Sequence, residues 1–329
     1  MASVHRINLL KMTLIWILFG IMLALPNFSS GYVLSFFSLM FMYATLAQSW
    51  NIMSGLTGYW SNGHHAFFGI AAYTLAILIV KFNYDVTYAF LFAIFSSTVL
   101  AVIIGALLLR IRGPYFVIGT LVIAEMIKVV IISQEWLTGG GNGLLLPPRY
   151  FLFEFYYLML TMVLLVSIAA YKIKNSKLGY AFLAIKDDED AAEAMGINVT
   201  KYKIVAFLIS GFFTGICGCM WALYVNFIDP YSAFDPTLQL IMAVSAAFGG
   251  LGTIIGPLLG TIIYVSLLEL LWVSFPYFYF IILGLSLAII IRFLPQGVLN
   301  YITTRLRVKK PEVTRNVWYK PDSNSRQLS

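Results

Sequence analysis

Charge is what this chain has least of. Only 11% of its 329 residues are Asp, Glu, Lys or Arg, against about 25% in soluble globular proteins. Hydrophobic residues make up 60%, and the mean hydropathy is +0.87. That composition excludes a water-soluble fold and points to a chain that crosses a bilayer several times. Cysteine is almost absent. Cys217 and Cys219 lie two apart in an apolar run, where helical geometry points them away from each other. They offer neither a zinc spacing nor a mutual disulfide and read as small packing residues. No G-x-x-x-x-G-K-[ST] occurs, so the chain carries no phosphate cradle of its own. With three histidines in all, a membrane-embedded enzyme built on His64, His65 and an acidic residue lacks a convincing nucleophile or metal set.

The sequence is rich in apolar runs near the 20 residues that cross a hydrocarbon core. They fall at about 12–25, 33–53, a run ending near 80, 87–109, 114–133, 150–171, 204–226, 238–248, 257–272 and a last run to 291. Pro114 is well placed in the first turn of its helix. The segment 238–248 is short and ends in G-G-L-G-T-I-I-G-P-L-L-G, which predicts a broken or re-entrant helix. The fold class is therefore all-α: a polytopic helical membrane bundle of about ten transmembrane segments, with both termini on one side. All but Lys81, Lys128 and Arg149 of the 21 Lys and Arg then fall on the side of the termini, which the positive-inside rule makes cytoplasmic. The net charge of +7 is thus spent on orientation in the bilayer and gives no reason to expect nucleic acid. Residues 1–302 form the membrane domain and 303–329 a basic cytoplasmic tail, suited to anionic headgroups and assigned no activity.

Between two of these runs lies a polar interruption, 175–203, on the cytoplasmic side. Asp187, Asp188, Glu189 and Asp190 precede Ala191, Ala192, Glu193, Ala194 and Met195, and Gly196 follows. Acidic residues favour a helix start and Gly196 suits its stop. The pattern predicts a helix of about two turns over 187–196, too short to be stable alone in water.

This stretch resembles the cytoplasmic loop of ABC importer permeases, which carries an E-A-A-x-x-x-G pattern; here Asp190 stands for the leading Glu. Three further stretches resemble the LIV-type permeases of branched-chain amino acid ABC transporters, specifically the M-type subunit. In 55–73, Gly58, Ser61, Gly63, His64, Ala66, Phe67, Phe68, Gly69, Ile70, Ala72 and Tyr73 fit the family's pattern, while Tyr59, Trp60, Asn62 and His65 depart from it. The second, 110–143, holds R-I-R-G-P-Y-F and L-T-G-G-G-N-G; the third, 248–260, holds F-G-G-L-G-T-I-I-G-P-L-L-G. The four blocks stand in the family's order across most of 40–300. The resemblance implies a permease in the bacterial plasma (inner) membrane, coupled to two ATP-binding cassette subunits through Asp187, Asp188, Glu189, Asp190, Ala191, Ala192, Glu193, Met195 and Gly196. It also implies a second, related permease and an extracytoplasmic substrate-binding protein. The latter would touch the outer loop at Trp136, Thr138, Gly139, Gly140 and Asn142, unless that loop is a flexible lid. ATP and Mg would sit on the partner subunits, with no cofactor or metal on this chain.

Candidates for the pathway or a gate are His64, Glu125, Lys128, Gly249, Gly250 and Gly252. His64 could instead be a histidine bonded to backbone that nearby glycines set free. Glu125 and Lys128, one turn apart inside a span, either lock helix packing as an ion pair or line the path. Gly252, Gly256 and Gly260 repeat every fourth residue, as close helix packing requires. Glu269 sits alone in the ninth run. Intramembrane acids are also what an ion- or proton-coupled secondary transporter would use, and related importers carry urea, amides or other amino acids, so these readings stay open.

Overall fold

The computed structural model describes residues 20–148 and 152–274, with positions 281, 284 and 285 beyond. Most of the expected first run, the expected last run and the basic tail lie outside the described residues.

The described chain is helical. α1 (Gly31–Trp50) continues through a π-helical turn, Asn51–Gly55. α2 (His64–Val80) and α3 (Val86–Leu108) follow. The Asp85 carboxylate caps α3 by accepting the Thr87 N–H, one of the donors that a helix start leaves unpaired. α4 (Pro114–Ser133) carries its proline at the first position, where no N–H is needed. α5 (Leu152–Lys174) and the shorter α6 (Lys177–Asp187) and α7 (Glu189–Ala194) precede α8 (Val199–Val225), which the Asn198 side chain caps. α9 (Pro236–Gly249), capped by Asp235, and α10 (Gly256–Ser274) complete the set. Among the described residues six helices are long and apolar enough to cross a membrane; α2 and α9, at 17 and 14 residues, are shorter. The eight together account for the second to ninth apolar runs. Helix α6 was not foreseen.

α8 is the central helix, packed against α1, α2 and α3. Its sequence explains why. A Cβ at Gly218 would strike the Phe68 carbonyl, one at Gly215 the Ser97 hydroxyl, and one at Gly211 the Ala101 methyl. Cys217 and Cys219 are buried on the same helix, and both serve as small packing residues, as expected. In a bilayer, helices gain little from escaping lipid and associate through such close backbone approach. A second group of apolar side chains, among them Met42, Trp50, Phe155 and Met242, fills the space between α1, α5 and α9.

Side-chain and strand contacts define the two ends of the bundle. Lys174, Lys186, Arg112 and Lys203 gather with the segments around 55–59 and 250–256 at one, the basic end. At the far end, Leu144–Leu145 pairs antiparallel with Phe227–Ile228, tying the glycine-rich loop to the end of α8. That loop is built rather than slack. It holds a one-turn helix, Glu135–Thr138, and a 3-10 turn, Gly140–Asn142. Thr138 Oγ1 donates to the Ile131 and Gln134 carbonyls. Gly139 and Gly143 have positive φ, and a Cβ on either would collide with backbone.

Candidate functional site

The polar interruption forms two helices. α7 begins at Glu189, and Asp188 is its cap, accepting the Ala191 N–H at 3.0 Å. Asp187 closes α6 instead, so the helix expected over 187–196 is shorter at both ends. Gly196, at φ +86°, takes the left-handed turn assigned to it. A six-residue helix needs anchoring, and α7 has two anchors. Ala192 is buried against Ile185 and Val199. Glu189 also turns inward, to a side-chain exposure of 16%, and meets Lys203 Nζ at 2.6 Å and Arg112 Nε at 3.3 Å.

Lys203 is 1% exposed. It donates to the Tyr59 hydroxyl at 2.6 Å and the Leu109 carbonyl at 3.3 Å, and lies 3.9 Å over the Tyr59 ring. The Tyr59 hydroxyl in turn donates to Glu189. Burial, and then this bond to Glu189, push the Tyr59 phenol above its ordinary value. The Arg112 guanidinium reaches Asp190 at 2.6 Å and Glu193 at 3.8 Å, and the hydrogen bond to Asp190 holds its pKa up. One side of α7 is thus bolted to the 56–63 loop, the turn between α3 and α4, and the first turns of α8. The outer side faces solvent: the Asp190 and Glu193 side chains, although both reach Arg112, are 79% and 67% exposed, and Met195 is exposed too.

Beside this clamp two interrupted helices meet. Asn51 Nδ2 donates to the Thr253 carbonyl, and Asn51 Oδ1 accepts the Gly252 N–H, both at 2.8 Å. Lys186 Nζ donates to the Gly55 carbonyl at 2.8 Å, and Lys174 Nζ to the Gly252 carbonyl at 2.7 Å. Burial lowers the Lys186 pKa. The expected break in the eighth run is present, since α9 stops at Gly249 and Gly250 turns the chain at φ +125°. Of the three glycines expected to let helices approach, Gly256 and Gly260 do so, each against the backbone at the end of α9. Gly252 lies in the turn at φ +72°, close to the Gly55 carbonyl.

His64 opens α2 and is fully buried. Its ring nitrogens lie 3.1 Å from Ser61 Oγ and 2.5 Å from Ser210 Oγ, and its backbone N–H donates to Gln239 Oε1. Its partners are therefore side chains, not the freed backbone that the sequence suggested. Ser49, Thr214 and Trp50 extend this cluster across α1, α2, α8 and α9. It satisfies the first N–H of a helix that starts inside the bundle.

Glu125 and Lys128 pair at 3.1 Å. Both belong to α4, and this is the mutual ion pair that their spacing predicts. His65 Nε2 lies 3.9 Å from Glu125 Oε1. The Glu269 carboxylate accepts from the Tyr32 hydroxyl at 2.6 Å. Among the described residues no three His, Cys, Asp or Glu side chains are grouped to hold a metal.

The family model described as branched-chain amino acid transport system, permease component, matches residues 32–292. The chain belongs to this family. The permease is 27% identical over 299 residues to the high-affinity branched-chain amino acid transport system permease protein LivM of Salmonella typhimurium, covering 82% of this chain and 70% of that one. It is 26% identical to LivM of Escherichia coli, over 83% and 71%. More partial likenesses reach other importers: the autoinducer 2 import system permease protein LsrC of Yersinia pseudotuberculosis is 26% identical over 58% of this chain and 56% of its own. No solved structure matches.

Of the coupling residues expected in the permease, Asp190, Glu193 and Met195 are solvent-exposed, whereas Glu189 and Ala192 face inward. Of the outer-loop candidates, Trp136 and Asn142 are exposed, but Thr138 and Gly140 are buried and offer no contact surface. Sequence reasoning missed Arg112, Lys203, Lys174 and Lys186 as parts of the site. Tyr59 was visible only as a departure from the family's pattern.

Proposed function

We propose that this permease is one membrane subunit of an ATP-driven importer of branched-chain amino acids in a bacterial plasma membrane, with both termini in the cytoplasm. Its partners are two ATP-binding subunits, a second related permease and an external substrate-binding protein. ATP and Mg act on the ATP-binding subunits, and this chain performs no hydrolysis. The substrate follows from the family description and from likeness to LivM over most of both chains.

The observation that carries the coupling role is the two-sided build of α7. Its solvent-exposed side offers Asp190, Glu193 and Met195 to a neighbour, the first two also within reach of Arg112, and its inward side is joined by Glu189 to Lys203, Tyr59 and Arg112. A push on the exposed side is delivered to the ends of α4 and α8, because the joining ion pair is buried and α7 cannot slide without breaking it. Alternating access then arises as the ends of these helices are displaced.

The test is charge reversal, Asp190→Lys with Glu193→Lys, in the reconstituted importer. Leucine uptake is expected to fall at least tenfold with normal membrane insertion of the permease. Unchanged uptake per inserted complex refutes the coupling role.

A further inference from the structure

α4 is the least buried of the membrane-length helices. Glu125 lies 11 residues beyond Pro114, about 16 Å along a helix that rises 1.5 Å per residue, which is close to mid-height. Its side chain is 40% exposed and that of Lys128 17%. An ionised pair at that depth is costly against hydrocarbon and is tolerated facing a wet cavity or another subunit. The pair lies within one helix, and across it Lys128 Nζ lies 5.8 Å from the centre of the Tyr231 ring. Behind it His65 is wholly buried, with neither ring nitrogen in a hydrogen bond, and Nε2 faces the Glu125 carboxylate at 3.9 Å. The site thus holds an acid, a base, and a buried polar ring with unused hydrogen-bonding capacity turned toward them.

We propose that Glu125 and Lys128 are the charged contacts of the solute midway through its passage. Glu125 receives the ammonium, and Lys128 the carboxylate, of a zwitterionic α-amino acid. Val122 and Val129, exposed within a turn of Glu125 on either side, pass the aliphatic side chain. This assignment rests on the amino-acid importer reading above. The chemistry favours a zwitterion over a singly charged solute: it replaces one internal ion pair by two intermolecular ones, so both charges stay compensated at every stage. Because the internal pair must open first and reforms afterwards, the contact is weak enough to release.

Leucine uptake and binding-protein-stimulated ATP hydrolysis should be measured on the complete importer in proteoliposomes. The variants are Glu125→Gln, Lys128→Met and the two combined. Each single change is expected to lower uptake at least tenfold at saturating leucine-loaded binding protein, with stimulated hydrolysis kept within twofold. The double variant decides. A merely structural pair is restored by removing both charges, whereas a solute contact is not; uptake within twofold of wild type in the double variant overturns the proposal. Val122→Cys, made in a complex without other reactive cysteines and with the charged pair intact, gives a second reading. Labelling by a membrane-impermeant thiol reagent, slowed by turnover with leucine, is expected; no labelling overturns the proposal. A wild-type importer that carries no leucine sinks the substrate reading and this inference with it, while leucine uptake insensitive to the double change sinks this inference alone.

Discussion

Replacing Lys203 by Met tests the clamp on α7 directly. Methionine keeps most of the apolar stem and removes the charge. Lys203 is 1% exposed and Glu189 16%, so the lost interaction is poorly screened. Removing one partner of such a buried pair costs about 3–5 kcal/mol. Arg112 Nε remains 3.3 Å from Glu189 and partly compensates the stranded carboxylate, which places the loss at the low end. About 3 kcal/mol is roughly a 100-fold change in the equilibrium between docked and undocked α7, at 1.4 kcal/mol per tenfold. Hydrogen exchange read by mass spectrometry on the purified protein should show backbone amides of 189–196 exchanging roughly 100-fold faster, while those in the middle of α8 keep their protection. Arg112→Gln is the control. The Arg112 side chain is 52% exposed, and exposed pairs contribute about 1 kcal/mol or less, so exchange should rise only a few-fold. If Lys203→Met leaves 189–196 within threefold of wild type, the buried pair does not hold α7 and the proposed transmission path is wrong.

Asn51→Ala removes two hydrogen bonds and leaves the Gly252 N–H and Thr253 carbonyl without their partner. Stability should fall by about 2–4 kcal/mol, seen as a lower thermal unfolding midpoint of the purified protein, and a midpoint like that of wild type would count against the junction. Tyr59 supplies a pH test. Its phenol is raised above the ordinary value of 10 by burial and by Glu189, so the stabilisation is complete below pH 10 and is lost as pH climbs through the folded-state pKa. Unfolding midpoints of wild type and Tyr59→Phe should therefore converge above pH 10, and a constant difference from pH 8 to 11 would exclude the linkage.

The helices were legible in the sequence because a bilayer leaves few choices: apolar runs of the right length, Pro114 at a helix start, and the Gly249–Gly250 stop all fell where expected. Local punctuation was also legible, as in the positive φ of Gly196 and the acidic residues Glu189 and Asp190 in the first turn of α7. What escaped was everything set by long-range pairing. Lys203 lies 14 residues from Glu189, and Tyr59 lies 130 residues away from it. No periodicity links such positions, and Lys203 read as the last charge of a polar loop rather than a buried base. His64 shows the same limit. Its burial could be guessed, but the Ser210 hydroxyl that satisfies it lies 146 residues on. Glu125 and Lys128 show the converse, since a contact within one helix is visible from spacing alone.

The basic end also suggests why movement there should be discrete. A helix broken inside a bilayer bares carbonyls that lipid cannot satisfy, and here side chains of α5, α6 and the π-helical turn supply the donors. Lys186 serves Gly55, Lys174 serves Gly252, and Asn51 joins the two breaks. With these bonds made, the interruptions cost little. Drawn apart without new partners, each exposes buried polar groups at about 1–3 kcal/mol apiece. Lys186 sits in the last turn of α6, two residues before the cap of α7, so a displacement of α7 pulls on the Gly55 carbonyl as well as on Lys203. Intermediate positions leave these donors and acceptors unpaired, whereas a shift to a second set of carbonyls pairs them again. Such a junction favours two arrangements over a continuum, which is the mechanical property alternating access requires.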